Sequence, residues 1–226
     1  MKKFILLLFM TVSTLGTAQK QNTAYIWIDL TDELILDSHK EKAKDAVNAL
    51  YGGLGDRDNG LKIKVMAINH RLISDDIYVI DLPKGSSNGF CLNCQSVKER
   101  KAQVKKKKQE ALDAIDKLNP IKIYQTRIYE NLRREFKNLN KESGKKYAIV
   151  FSDLLENSHK ISLYGNIPDA SVVDFGVDLS DMEIYLIRDC RQDQDSNDLC
   201  DDAVNFWAEA FDLNGVVADI NSTFIL

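Results

Sequence analysis

Two apolar runs, each closing on an acid, constrain this chain most: Tyr25-Ile26-Trp27-Ile28-Asp29 and Tyr147-Ala148-Ile149-Val150-Phe151-Ser152-Asp153. Neither run alternates polar with apolar residues, so neither suits a strand with one face in water. Continuous β-favouring runs of this length belong in the middle of a sheet covered on both sides, typically a parallel one. The acids that follow them then stand where the chain leaves the sheet.

The remaining sequence supplies the covering layers. Ala43, Ala46, Val47 and Leu50 recur at helical spacing and predict a helix over 38–51, with Ser38 as its N-cap. Leu61 to Ile68 predicts a second strand and Ile77 to Ile80 a third. A long helix is expected from about Ser96 to Leu118, with Val104, Ala111, Leu112 and Ile115 towards the core, before Asn119-Pro120 breaks it. Ile128, Leu132, Phe136 and Leu139 mark a helix over about 127–140. Glu183 to Ile187 predicts a strand, Ala203 to Leu213 a helix, and Thr223 to Leu226 a last strand. Strands separated by helices make an α/β fold, a doubly wound and mostly parallel sheet flanked by helices. In such sheets ligands gather beyond the carboxyl ends of the strands, near the point where strand order reverses.

Residues 1–18 read differently. Lys2 and Lys3 precede the apolar run Phe4 to Met10, and Gly16 and Ala18 stand three and one residues before a cut at Gln19. This is the pattern of a secretory signal peptide, and its apolar run is shorter than the roughly 20 residues of a membrane span. The expected product is one exported bacterial domain over 19–226, periplasmic or extracellular, with no stable membrane insertion after cleavage. The whole chain carries a net charge of −4, and loss of two lysines with the leader makes it more acidic. General nucleic-acid binding is therefore not expected. Lys105 to Lys108 read as a solvated helix face. Four cysteines, Cys91, Cys94, Cys190 and Cys200, form an even set in an exported chain and favour disulfides. Local pairs are expected, although three connectivities are open. Zinc or redox chemistry at Cys91 and Cys94 is weakly supported, because no histidine lies close by and no strand leads straight into a helix carrying the pair.

Asp29-Leu30-Thr31-Asp32-Glu33 places oxygen-bearing side chains in a strand-to-helix loop, and Ser152-Asp153 adds oxygens at the end of another buried run. Such donors suit a hard cation such as Mg²⁺, with Mn²⁺ or Ca²⁺ as alternatives. Tyr25 to Glu33 resembles the first strand and metal-ion-dependent adhesion motif, Asp-x-Ser/Thr-x-Ser, of von Willebrand factor type A domains. Gln125-Thr126-Arg127-Ile128-Tyr129 is similar to the family's threonine loop before a helix, and Ala148 to Asp153 to its strand ending in Ser-Asp. The order and spacing match from about Ala24 to Phe224. The resemblance implies a three-layer, Rossmann-like sandwich in which Asp29, Thr31, Thr126 and Asp153 surround a cation. It implies a protein-binding module rather than an enzyme, with a partner's carboxylate completing the site. Glu33 departs from the motif's last serine, and is either a further ligand, an occupant of the partner's place, or a residue in solvent.

Two other classes compete. One is a small exported metal-dependent hydrolase using Asp29 and Asp153; the other is a metal-free scaffold docking through the helix around Lys105. The sequence carries no Gly-x-Ser-x-Gly elbow, no phosphate-binding glycine loop and no His-Glu-x-x-His helix. His39, His70 and His159 lack motif context and read as surface or loop residues. N-terminal sequencing of the exported protein is expected to begin at Gln19; a product still beginning at Met1 would contradict the leader.

Overall fold

The computed structural model describes residues 21–54, 60–69, 75–85, 96–121, 125–190, 194–221 and 224. The expected leader and the pair Cys91 and Cys94 lie outside them. The strands are β1 (Asn22–Asp29), β2 (Leu61–Ile68), β3 (Asp75–Leu82), β4 (Lys146–Ser152), β5 (Met182–Arg188) and β6 (Asp219–Asn221), and the helices are α1 (Leu36–Gly52), α2 (Val97–Asp116), α3 (Ile128–Leu139) and α4 (Gln194–Leu213). They form one sheet ordered β3-β2-β1-β4-β5-β6. All neighbours run parallel except β2 and β3, which are antiparallel. This is the doubly wound, mostly parallel α/β architecture expected.

Strand order reverses between β1 and β4, and both strands are covered on two faces. Ala24, Ile26 and Ile28 of β1 pack into the cluster containing Ala43 and Val47 of α1 and Ala111 and Ile115 of α2. The alternate residues Tyr25 and Trp27 belong to the opposite cluster, with Leu132 and Phe136 of α3 and Trp207 and Phe211 of α4. Period-two alternation therefore distributes one apolar run between two cores, which explains why the run has no polar side. The helices follow their apolar spacing: Ile128, Leu132, Phe136 and Leu139 are all fully buried. Ser96 begins α2 through a capping box, accepting from the Glu99 N–H at 3.3 Å while Glu99 accepts from the Ser96 N–H. Lys106 and Lys107 pair with Glu110, in keeping with a solvated face for the basic run.

Several boundaries differ from those read in the sequence. α1 starts at Leu36 behind Ile35, and Ser38 lies inside it rather than at its cap. α4 starts nine residues ahead of Ala203, at Gln194. The last strand is Asp219–Asn221, ahead of Thr223; of the four residues expected to form it, only Phe224 is described, and its ring packs edge-on against Tyr185 at 4.9 Å. Between β4 and β5 there is no α-helix. The chain crosses through irregular structure with one 3-10 turn, Ala170–Val172, and anchors itself by burying Ile161, Leu163, Val173, Phe175 and Leu179. Gly144, in the turn before β4, has φ +85°, and a Cβ there would stand 2.5 Å from the Gln21 carbonyl oxygen. Glycine is needed both for the backbone and for the close approach.

Phe136 makes edge-on contacts with Trp27 and Phe175, at 5.9 and 5.0 Å between ring centres. Phe136→Ala is expected to lower stability by about 3–5 kcal/mol, read as a lower urea midpoint at unchanged slope; a loss below about 1 kcal/mol would mean that this core is not the one described.

Candidate functional site

The parallel register aligns Ile28 with Phe151, so Asp29 and Ser152, one residue further along each strand, leave the sheet side by side. The Ser152 hydroxyl donates to Asp29 Oδ2 at 2.6 Å. Asp29 Oδ1 accepts from the Thr31 N–H at 2.9 Å and from the Thr31 hydroxyl at 2.7 Å. Thr31 Oγ1 lies 2.8 Å from Thr126 Oγ1. A hydroxyl carries one proton. The Thr31 proton is engaged by Asp29, so Thr126 donates to Thr31. Both threonine protons thus face inward along this chain, and oxygen lone pairs are left on Thr31 and Thr126. That is the polarity a cation requires.

Asp29 is 2% exposed. Its three accepted hydrogen bonds occupy most of a carboxylate's roughly four acceptor positions, so it works as a hub that orients hydroxyls. Among the described residues no lysine or arginine forms an ion pair with it. His39 is fully buried within α1, a correction to its reading as a surface or loop residue. Its Nδ1 lies 3.3 Å from the Asp29 carbonyl oxygen, which can only accept, so Nδ1 carries the proton. Burial lowers the His39 pKa against the opposing pull of Asp29.

Asp153 is half-buried beyond Ser152, and its Oδ1 accepts from the Leu155 N–H at 2.9 Å. It lines a cavity of about 120 Å³ with Asp32, Leu155, Tyr164 and the Cys190–Cys200 disulfide. That disulfide is the second local pair expected. Leu154, in the loop after β4, has φ 64°, an uncommon conformation for a side chain of this size. It is held there by its N–H on Ser152 Oγ at 3.0 Å and by the Trp207 indole N–H on its carbonyl at 2.9 Å.

The structure therefore brings Asp29, Thr31 and Thr126 into one hydrogen-bonded chain, with Asp153 next to Ser152 at its edge. Glu33 is exposed, beside the buried Asp32. Ser152, read in the sequence as an oxygen-bearing neighbour without a place in the ligand set, bonds directly to Asp29. Glu156, between two leucines and the polar Asn157-Ser158, had no sequence signal, yet it is wholly buried and its Oε2 accepts from the Tyr129 N–H at 2.9 Å. The donor set fits a hard cation that takes few carboxylates. Among the described residues no group of three or more histidine, cysteine, aspartate or glutamate side chains is placed to hold a metal, so a cation here must draw on the hydroxyls.

Compared with protein families, the chain matches none, and no curated protein matches it. Among solved structures it is similar to proximal thread matrix protein 1 from the mussel byssus, at TM-score 0.44 and 16% identity over 74% of this chain and 35% of that one. The form of that protein with a zinc-occupied metal-ion-dependent adhesion motif gives TM-score 0.47 and 14% identity over 90% and 42%. A von Willebrand factor type A structure from Catenulispora acidiphila gives TM-score 0.43 and 14% identity over 84% and 43%. The N-terminal domains of a type V pilus tip protein from Porphyromonas gingivalis give TM-score 0.41 and 14% identity over 61% and 20%. The chain spans less than half the length of each. In its own topology it has the fold that the von Willebrand factor type A resemblance implies, with the ends of β1 and β4 adjacent at the switch point.

Burial, with the Glu130 charge adding to it, pushes the Glu156 carboxyl up from 4.5 to about 8. Between those values the folded protein holds a proton that the unfolded chain has lost. The stability from this group is full below the unfolded pKa and is lost as pH rises through the folded one. From about pH 6.5 to 8.5, above most histidine titration, the urea midpoint is expected to fall. Glu156→Gln should flatten that decline; an unchanged slope in the variant would assign it to other groups.

Proposed function

We propose that this chain is an exported protein-binding module, not an enzyme, whose rim holds a divalent cation and uses it to recruit a carboxylate from a protein partner. One observation carries this reading. A buried carboxylate, Asp29, has hydroxyl and amide partners but no basic side chain among the described residues, and the hydroxyls around it leave oxygen lone pairs on Thr31 and Thr126. Removing a charge from water costs several kcal/mol unless an opposite charge or strong hydrogen bonds answer it. A cation adds what the hydrogen bonds do not. Asp29, Thr31, Thr126 and Asp153 would hold it, Mg²⁺ being the first choice for a site with few carboxylates and room for water. A bound cation would supply a positive point for an acidic side chain of the partner.

The surroundings support contact with protein. Leu34 is 75% exposed on the loop after β1, and Tyr164 is 51% exposed at the cavity shared with Asp153. Among the described residues no helix is long and apolar enough to cross a membrane, and the Cys190–Cys200 disulfide suits an oxidising compartment.

Calorimetric titration of the protein with Mg²⁺ and Mn²⁺ tests the cation. One saturable site is expected, weakened at least about tenfold in Asp29→Ala, in line with the loss of a group that orients ligands. Equal binding by wild type and variant, or none by wild type, would overturn the reading.

A further inference from the structure

α3 begins without a cap of its own. Arg127 stands at its N-cap with no side-chain hydrogen bond, although the first N–H groups of a helix have no partner within it. The missing acceptor comes from a different loop. Glu156, three residues past Asp153, is wholly buried and takes the Tyr129 N–H at 2.9 Å. The next residue, Asn157, donates its N–H to the Thr126 carbonyl at 3.0 Å. Two successive residues of the loop after β4 thus grip the start of α3 on either side of Arg127. Thr126, held in that grip, reaches Thr31 Oγ1 at 2.8 Å. The same loop is fixed by the Trp207 indole on the Leu154 carbonyl and by the Leu163 N–H on the Glu156 carbonyl, each at 2.9 Å.

The geometry points to Glu156 as the positioning residue of the rim: by capping α3 from the Asp153 loop, it sets where the Thr126 hydroxyl stands relative to Thr31 and Asp29. Its use in holding a cation rests on the function proposed above, but the positioning itself does not. Without an acceptor at residue 156, the buried Tyr129 N–H is orphaned, and the start of α3 moves to find water or another oxygen. Thr126 moves with it. Groups behind a metal's direct ligands commonly change affinity by about 10–100-fold when removed. A glutamine keeps one oxygen for Tyr129 and is close in shape to the protonated acid, so it should replace Glu156 with little change.

Methyl NMR of Thr31 and Thr126 in the full chain, combined with Mn²⁺ titration, tests this directly. Glu156→Leu is expected to shift both threonine methyl resonances and to weaken Mn²⁺ binding by about tenfold, whereas Glu156→Gln leaves both close to wild type. Leu139→Ala, a buried cavity at the far end of α3, should lower the melting temperature without moving either resonance. If the leucine variant does not fold, Glu156→Asp, which keeps the carboxyl but shortens its reach, should move the same two resonances. Unshifted threonine methyls in folded Glu156→Leu or in Glu156→Asp, or equal shifts in Leu139→Ala, would overturn the inference. Absence of Mn²⁺ binding by wild type would defeat the cation reading alone, since the methyl shifts still decide the positioning.

Discussion

One hydrogen bond joins the two halves of this fold at the place where strand order reverses: the Ser152 hydroxyl on the Asp29 carboxylate, at 2.6 Å. It forms only because β1 and β4 pair in parallel and in the register that sets Ile28 beside Phe151. A slip of one residue would turn Asp29 and Ser152 to opposite faces of the sheet and exchange the two cores that β1 feeds. Packing guards against that slip. Trp27 is fully buried against Phe136, and Ile26 is fully buried among the residues covering the other face. The hydrophobic layers therefore fix the rim chemistry indirectly, by leaving the strands one acceptable pairing.

Beyond the strand ends, the rim is held by polar groups that serve one another. Asp29 organises the hydroxyls of Thr31 and Ser152. Thr126 arrives from before α3, and its loop is tied to the chain after Asp153 by Glu156 and Asn157. Leu154 keeps an unfavourable backbone conformation between these anchors, at a cost of order 1 kcal/mol, and strain of this kind persists where the surroundings over-determine it. The outcome is a set of oxygens held in place by one another, an arrangement that would reduce what the proposed binding spends on ordering side chains.

Most of this scaffold was legible in the sequence. The uninterrupted apolar runs located β1 and β4, because burial on both faces removes polar residues from both registers. Helical spacing located the cores of α1, α2 and α3. Asp29, Thr31, Thr126 and Asp153 were legible through their places at strand and helix ends and through their likeness to a known motif. The rest depended on contacts distant in sequence. The antiparallel edge made by β3 leaves no mark in its own residues. Ser38 has the chemistry of a cap, but Ile35 and Leu36 are buried and draw the helix start forward. The crossing from β4 to β5 has the length for a helix, yet scattered apolar anchors hold it in irregular form. His39 and Glu156 look like ordinary polar residues until the fold surrounds them. Glu33 carries a ligand's chemistry at the motif's last position, and the structure leaves it exposed.

At the shared edge of β1 and β4, Asp29 and Ser152-Asp153 leave the sheet side by side, where the proposed cation would sit. Crystals grown with Mn²⁺ and measured at a wavelength where manganese scatters anomalously show directly where the metal sits. A single strong difference peak enclosed by Asp29, Thr31, Thr126 and Asp153 is expected. A peak elsewhere on the molecule, or a map with Asp29 and Asp153 apart and no manganese between them, would contradict it.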